Sequence, residues 1–235
     1  MEQLRKLSVV IPVFNEEPTV EILIRRVLAV DLPKEVVVVD DASTDRTPAI
    51  LARLAQDPGV ASTVVFLRHS SNRGKGAAIR TAMERVEGEV VIIQDADLEY
   101  DPREFPKLLE PILDGRADVV YGSRFLGGPH RVLYFWHYVG NKALTLLSNI
   151  LTNLNLSDME TCYKAFRTEV LKGVTIRSNR FEFEPEITMK IARHGYRIYE
   201  TTISYSGRSY AEGKKIGWKD GVRTLWALIR YRFMD

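Results

Sequence analysis

Asp95, Asp97 and Glu99 stand within five residues of one another at the end of an apolar, β-branched run, Val90-Val91-Ile92-Ile93-Gln94. Carboxylates this close repel one another unless a cation or a set of hydrogen-bond donors lies among them. Hard oxygen ligands at the mouth of a buried strand suit Mg²⁺ or Mn²⁺ carrying substrate phosphates. Taken alone, Asp-x-Asp after a strand is more often a solvated turn, so the remaining chemistry of the chain has to decide.

Other polar groups collect at similar places. A first apolar run ends in Phe14-Asn15-Glu16 and a second in Asp40-Asp41. Arg73-Gly74-Lys75-Gly76-Ala77-Ala78 lacks the G-x-x-x-x-G-K-[ST] spacing of a P-loop and the glycine pattern of a dinucleotide fingerprint. Lys75 at a helix start can meet a ribose or phosphate; a solvated loop is an equal alternative for those glycines. Cys162 is the single cysteine and the four histidines have no metal-ligand spacing, so a disulfide framework and a zinc site are excluded and a reducing compartment is expected.

The elements that would position these groups alternate. Apolar strands are expected at Leu7–Val13, Glu35–Asp40, Thr63–Leu67, Glu89–Gln94 and Ala117–Tyr121, with amphipathic helices at Thr19–Ala29, Arg46–Ala55, Gly76–Val86 and Arg103–Leu113. Strands apolar on both faces between such helices predict a mostly parallel α/β sheet. Ser43-Thr44-Asp45 is a cap signal for the second helix. Beyond Gly122 the pattern is mixed: one or two helices over Val132–Leu156, strands at Cys162–Phe166 and Tyr196–Ser204, and helices at Glu184–His194 and Trp218–Phe233. In such sheets ligands bind at the carboxyl ends of the strands, and the acids above share that edge. The shared edge favours a site over a row of solvated turns.

In order along the chain, Val10-Ile11-Pro12-Val13-Phe14-Asn15-Glu16, Val38-Val39-Asp40-Asp41-Ala42-Ser43-Thr44-Asp45 and Asp95-Ala96-Asp97 resemble the family 2 glycosyltransferases of the GT-A (Rossmann-like) fold. Asn72-Arg73-Gly74-Lys75-Gly76-Ala77, Gly122-Ser123-Arg124, the Asp158–Lys164 segment and Gly207-Arg208-Ser209-Tyr210 are similar to the group of dolichol-phosphate mannose synthases and bacterial polyprenyl-phosphate glycosyltransferases. The resemblance implies one domain over 1–235: a nucleotide-sugar-binding half at 1–125, an acceptor half with mobile loops at 126–215 and a C-terminal helix at 216–235. It implies an inverting transfer of a hexose from GDP-mannose or a UDP-hexose to a polyprenyl phosphate, with Mg²⁺ or Mn²⁺.

Carried onto this chain, the resemblance puts Pro12, Phe14, Glu16, Asp41 and Lys75 at the nucleotide, Asp95 and Asp97 at ribose and metal, and Glu99 as a further metal ligand where relatives often have Gln. Arg208, Lys214 and Lys215 would close over the diphosphate, Arg124 and Arg131 would hold an acceptor phosphate, and Asp97, Arg124 and Asp158 would be catalytic. Asp158 would serve as base for a hydroxyl acceptor, or equally as a helix cap. Transfer to a saccharide or protein hydroxyl and a non-catalytic sugar-nucleotide-binding scaffold remain the alternatives.

The bulk numbers accord with a soluble globular chain: 235 residues, 45% hydrophobic, 27% charged, net charge +2. From Arg208 onward seven basic residues face three acidic ones, which suggests an anionic ligand or surface at that end. Pro12 breaks the one stretch that might pass for a signal peptide, and no run is long enough to span a bilayer. Many relatives continue into membrane-spanning helices, so a soluble catalytic subunit is expected, cytoplasmic, peripheral at the membrane face and without a nucleic-acid partner. Trp218, Val222, Leu225, Trp226, Ile229 and Phe233 form one stripe among Lys219, Arg223 and Arg230, as an interfacial helix would. Tyr134, Phe135, Trp136 and Tyr138 offer a second contact. For stripes at this spacing, packing on the core or on a homodimer or membrane-subunit partner is the commoner outcome.

Overall fold

The computed structural model describes residues 4–132, 134–209, 212 and 218–234. Its strands are β1 (Leu7–Val13), β2 (Lys34–Asp40), β3 (Val64–Arg68), β4 (Val90–Ile93), β5 (Val119–Ser123), β6 (Lys164–Arg167) and β7 (Ile198–Thr202). The helices are α1 (Val20–Leu28), α2 (Thr47–Leu54), α3 (Pro58–Ala61), α4 (Lys75–Met83), α5 (Phe105–Leu113), α6 (Phe135–Thr152), α7 (Thr168–Gly173), α8 (Phe183–Arg193) and α9 (Trp218–Phe233). The sequence reading lacked the short helices α3 and α7, which are too brief to show a periodicity. It placed the longer elements to within a few residues.

The strands form one seven-stranded sheet in the order β3-β2-β1-β4-β6-β5-β7. All pairs are parallel except those of β6, which runs against both β4 and β5. The fold is thus α/β with a mostly parallel sheet, as expected. Alternate residues of each strand enter opposite layers. Val9, Ile11, Val36, Val38 and Ile92 pack under α1 and α5, while Val10, Val37, Val39, Val91 and Ile93 pack under α4, α8 and α9. Burial on both faces is why these strands read as unbroken Val/Ile runs, each side chain contributing about 1.5–3 kcal/mol.

Two helices depart from that economy. α6 ends at Asn153, which turns left-handed (φ 59°) and donates its N–H to Asn149 O at 2.8 Å, a stop that Asn tolerates without a glycine. Its buried positions include the polar Thr145 and Ser148, whereas Leu146 and Ile150 face solvent. α9 fills the core with Ala227, Leu228 and Tyr231, so the stripe Val222, Leu225, Trp226, Ile229 and Phe233 lies outside. Core packing, the commoner outcome for such a stripe, is therefore not what this one does. No helix among the described residues is long and apolar enough to cross a membrane.

Candidate active site

β1 is flanked by β2 on one side and β4 on the other, so consecutive connections leave it in opposite directions and open a crevice at the carboxyl ends. Three loops enter that crevice through left-handed residues that are not glycine: Asn15 (φ 51°) after β1, Ala42 (φ 61°) after β2 and Leu98 (φ 64°) after β4. Each such residue costs about 1–2 kcal/mol, and the surrounding bonds hold it there. Asn15 Oδ1 accepts from Thr44 N at 2.8 Å, and Asn15 N donates to Ser43 Oγ at 2.9 Å. Backbone strain gathered at one edge of the sheet marks a built site.

Arg208 lies at the centre of the acids. Its guanidinium meets Asp97 Oδ2 at 3.0 Å and Glu16 Oε2 at 3.2 Å, with Nε 3.6 Å from Glu99 Oε1. Arg208 N donates to Glu99 Oε1 at 2.7 Å, and Tyr205 Oη donates to Glu99 Oε2 at 2.7 Å. Glu99, expected as a metal ligand, is thereby the latch that fastens the 205–208 segment over the crevice. Asp97 is pushed up to about 7 by burial and then by the Asp95 and Glu99 carboxylates; Arg208 only partly offsets this. One guanidinium does not neutralise this set of acids.

Asp95 belongs to a second array. Lys75 Nζ lies 2.7 Å from Asp95 Oδ1 and 3.1 Å from Glu184 Oε1, all three nearly buried. Burial opposes the charge on Lys75, but Asp95 and Glu184 hold its ammonium well above the ordinary value. Lys75 thus props Asp95 from within the protein. The flanking glycines admit the neighbouring chain: a Cβ on Gly74 would meet Asn179 O at 2.4 Å, and one on Gly76 would meet Ser178 O at 2.3 Å. The glycine loop is packed, not solvated. Asp41 fixes the same loop, accepting from Arg73 N at 2.8 Å, Gly74 N at 2.6 Å and His69 Nδ1 at 2.6 Å. Pro12 and Phe14 are half-buried at the end of β1, beside this loop system.

On the acceptor side Arg124, following β5, is held by Asp158. Nε and one Nη donate to the two carboxylate oxygens at 2.7 Å each, and Arg124 N adds a third bond at 3.1 Å. Asp158 is fully buried with both oxygens engaged, and no helix starts there. Its oxygens face the Arg124 guanidinium and backbone N–H rather than the first turn of a helix. The Tyr205 ring lies 5.2 Å from the Arg124 guanidinium, so one tyrosine touches both Glu99 and Arg124. Arg131 is half-exposed and bonds Glu212 at 2.8 Å and Gly207 O at 3.3 Å, a second fastening of the loop. Lys214 and Lys215 lie outside the described residues.

Two acids were passed over in the sequence. Glu184 begins α8 and reads there as an ordinary first-turn carboxylate. Glu160 sits inside the Asp158–Lys164 segment, its Oε1 buried without a hydrogen-bond partner among the described residues. Burial, and then Glu184, push it up to about 7, against Lys164 and Arg124.

Among the described residues no three His, Cys, Asp or Glu side chains are gathered as a metal cage. The expected trio of Asp95, Asp97 and Glu99 is divided, because Lys75 takes the first and the Tyr205–Arg208 segment takes the third. A Mg²⁺ or Mn²⁺ held by one or two carboxylates and completed by substrate phosphates still fits. Asp97 is the fitting donor, since it carries uncompensated negative charge and keeps 16% of its side chain exposed.

The chain is 32% identical over 234 residues to the low-salt glycan biosynthesis hexosyltransferase Agl6 of Haloferax volcanii, covering 97% of this chain and 53% of that protein. It is 32% identical over 212 residues to the undecaprenyl-phosphate 4-deoxy-4-formamido-L-arabinose transferase of Edwardsiella ictaluri, covering 88% of this chain and 62% of that one. The chain therefore spans between half and two-thirds of the length of these curated relatives. Crystal structures of glucosyl-3-phosphoglycerate synthase from Mycobacterium tuberculosis share the fold. The complex with Mn²⁺, UDP and glucosyl-3-phosphoglycerate gives TM-score 0.73 at 22% identity, over 97% of this chain and 80% of that one. The complex with phosphoglyceric acid gives TM-score 0.75 at 20% identity, over 98% and 81%. Residues 8–175 match the family described as Glycosyl transferase family 2, and the chain belongs to that family.

Proposed function

We propose that this chain transfers a hexose, with inversion, from a nucleoside diphosphate sugar to a polyprenyl phosphate of the dolichyl or undecaprenyl kind. The name of the Edwardsiella relative, an undecaprenyl-phosphate transferase, supports the acceptor class. The observation that carries the reading is the pairing of Arg124 with Asp158. It leaves a preorganised guanidinium beside the acid-lined crevice, with its own carboxylate spent. A phosphate oxygen is already ionised near neutral pH, so it needs a cation to hold it more than a base to activate it.

In the displacement, the acceptor oxygen forms a bond to the anomeric carbon as the bond to the donor phosphate breaks and its electron pair leaves with the nucleoside diphosphate. Asp97 would hold Mg²⁺ or Mn²⁺, which would supply positive charge to that leaving group. Arg208 supplies a further cation on the same side, released from Glu16 and Asp97 as the diphosphate takes their place. Lys75 keeps Asp95 ionised and aimed. A lipid acceptor sets the work of the chain at a membrane surface.

A second reading, transfer to a saccharide hydroxyl, draws on Glu160, an unpartnered carboxyl poised near neutrality as a general base should be. Purified chain incubated with a panel of nucleotide sugars and Mn²⁺ separates the two. Product appearing only with polyprenyl phosphate, lost in Asp97→Asn and under chelation, and retained in Glu160→Gln supports the first reading. Product on a saccharide that vanishes in Glu160→Gln supports the second and defeats the first.

A further inference from the structure

The two sides of the crevice rise from strands that are not neighbours. Asp95, Asp97 and Glu99 follow β4 and Arg124 follows β5, with β6 between them in the sheet. Lys164 of β6 pairs with Ile93 on one side and Tyr121 on the other, so the two strand ends stand roughly 10 Å apart. The Lys164 ammonium does not tie them. It donates to Met159 O at 3.1 Å and to Thr161 O, carbonyls of its own loop. A displacement between a donor on one side and an acceptor on the other needs that gap held, because misplacement by about 1 Å can cost on the order of a hundredfold in rate.

Tyr205 crosses the gap. It follows β7, which pairs with β5 on the side away from β6, yet its hydroxyl reaches the loop after β4. Oη donates to Glu99 Oε2 at 2.7 Å, while the ring lies 5.2 Å from the Arg124 guanidinium. The backbone of the same residue holds the loop that carries Arg131: Tyr205 N donates to Pro129 O at 3.0 Å, and Arg131 N donates to Tyr205 O at 2.8 Å. The ring also meets Tyr100 at 5.4 Å, and Tyr100 is buried and stacked on Tyr163 at 5.0 Å. A phenylalanine would serve the packing and the contact with Arg124 as well. The hydroxyl is what requires a tyrosine, and it is spent on Glu99, a carboxylate that also accepts Arg208 N at 2.7 Å.

We propose that Tyr205 is a positioning residue that sets the donor and acceptor sides of the crevice against each other, acting through Glu99 on the first and Arg124 on the second. The inference rests on the transfer reading for its purpose and not on which acceptor is used.

Tyr205→Phe keeps the ring and removes the bond to Glu99. With Mn²⁺ and a nucleotide sugar, transfer to the acceptor is measured beside hydrolysis of the donor by water, which needs no acceptor. In Tyr205→Phe the ratio of transfer to hydrolysis is expected to fall roughly tenfold or more through kcat, with KM for the nucleotide sugar moving by about twofold or less. Tyr205→Leu, which also takes the ring from Arg124, is expected to raise KM for the acceptor about threefold to fivefold. Urea unfolding of Tyr205→Phe, Glu99→Ala and the double variant reads the link without any ligand. The midpoint shift of the double variant is expected to fall short of the sum of the single shifts.

Full additivity of those shifts overturns the proposal, as does a Tyr205→Phe chain with the wild-type ratio. Transfer and hydrolysis that fall together in Tyr205→Phe also overturn it, because the residue would then serve the donor side or the fold alone. A wild type that transfers to a saccharide and to no prenyl phosphate removes the polyprenyl reading, and the same ratio on the saccharide then decides the role of Tyr205. A wild type that transfers to neither acceptor overturns both.

Discussion

The crevice at the end of β1 and β4 and the outer face of α6 and α9 break the same rule in opposite directions. Around Arg208, Lys75 and Arg124 the chain buries charge: Glu16, Asp158 and Glu184 are all buried. Along α6 and α9 it exposes tryptophan and phenylalanine while Thr145 and Ser148 are inside. Buried charge is costly unless paired, and exposed apolar surface forgoes the main driving force of folding. A chain selected for stability alone would do neither. What separates the two regions is compensation: the crevice pairs its charges internally, except near Asp97 and Glu160, whereas large apolar side chains of the outer face stay exposed among the described residues.

The crevice side of this comparison is most exposed to Asp97→Asn. Loss of the carboxylate is expected to lower transfer on the order of a thousandfold or more without lowering stability, since it relieves the crowding that pushes this group up to about 7. Parallel rate measurements and urea unfolding check it. A variant that transfers normally would remove Asp97 from the chemistry. Asp158→Ala should behave differently, leaving the Arg124 guanidinium buried without its partner. A loss of about 3–5 kcal/mol is expected, measured as a lower urea midpoint with unchanged slope. Full stability in that variant would mean that the pair is not the support of the acceptor side.

The strands and the shared acid edge were legible in the sequence because burial on both faces writes itself as continuous Val/Ile runs, and the acids follow directly. Asp97 and Arg208 were legible as candidate site residues. Their mutual contact was not, because it joins residues far apart in the chain through a loop with no periodic signal. Glu99 as latch was hidden for the same reason, since its partners Tyr205 and Arg208 come from that loop. Glu184 and Glu160 are invisible to local pattern: a carboxylate in the first turn of α8 looks like ordinary helix chemistry until Lys75 is found beside it. The α9 stripe was legible as apolar, but spacing cannot say which of two apolar sides faces inward. Ala227, Leu228 and Tyr231 decide that by filling the core.

Glu160 tests whether the crevice contains a charge it cannot compensate. Its folded value of about 7 lies above the ordinary 4.5. The unfolded chain therefore releases the proton first, and stability falls as pH rises through this window, levelling off above about 7. The shift corresponds to about 3 kcal/mol. Glu160→Gln, which cannot ionise, should match the wild type near pH 4 and gain on it by about that amount by pH 8. Chemical unfolding of both proteins across the range reads the difference, and parallel pH profiles would place the uncompensated charge elsewhere.

The outer face should respond least, and that small response is what sets it apart from the crevice. Val222, Trp226 and Ile229 are already half-exposed or more, so truncating them forfeits little burial and opens no cavity. Trp226→Ser with Ile229→Ser is expected to change unfolding free energy by no more than about 0.5 kcal/mol per site. Leu228→Ala, one position away on the same helix but fully buried, should cost about 2–5 kcal/mol. The contrast between neighbours on one helix is the measurement that matters. If the exposed pair proved as costly as Leu228, the stripe would be part of the folded core, and the opposition between the two regions would collapse.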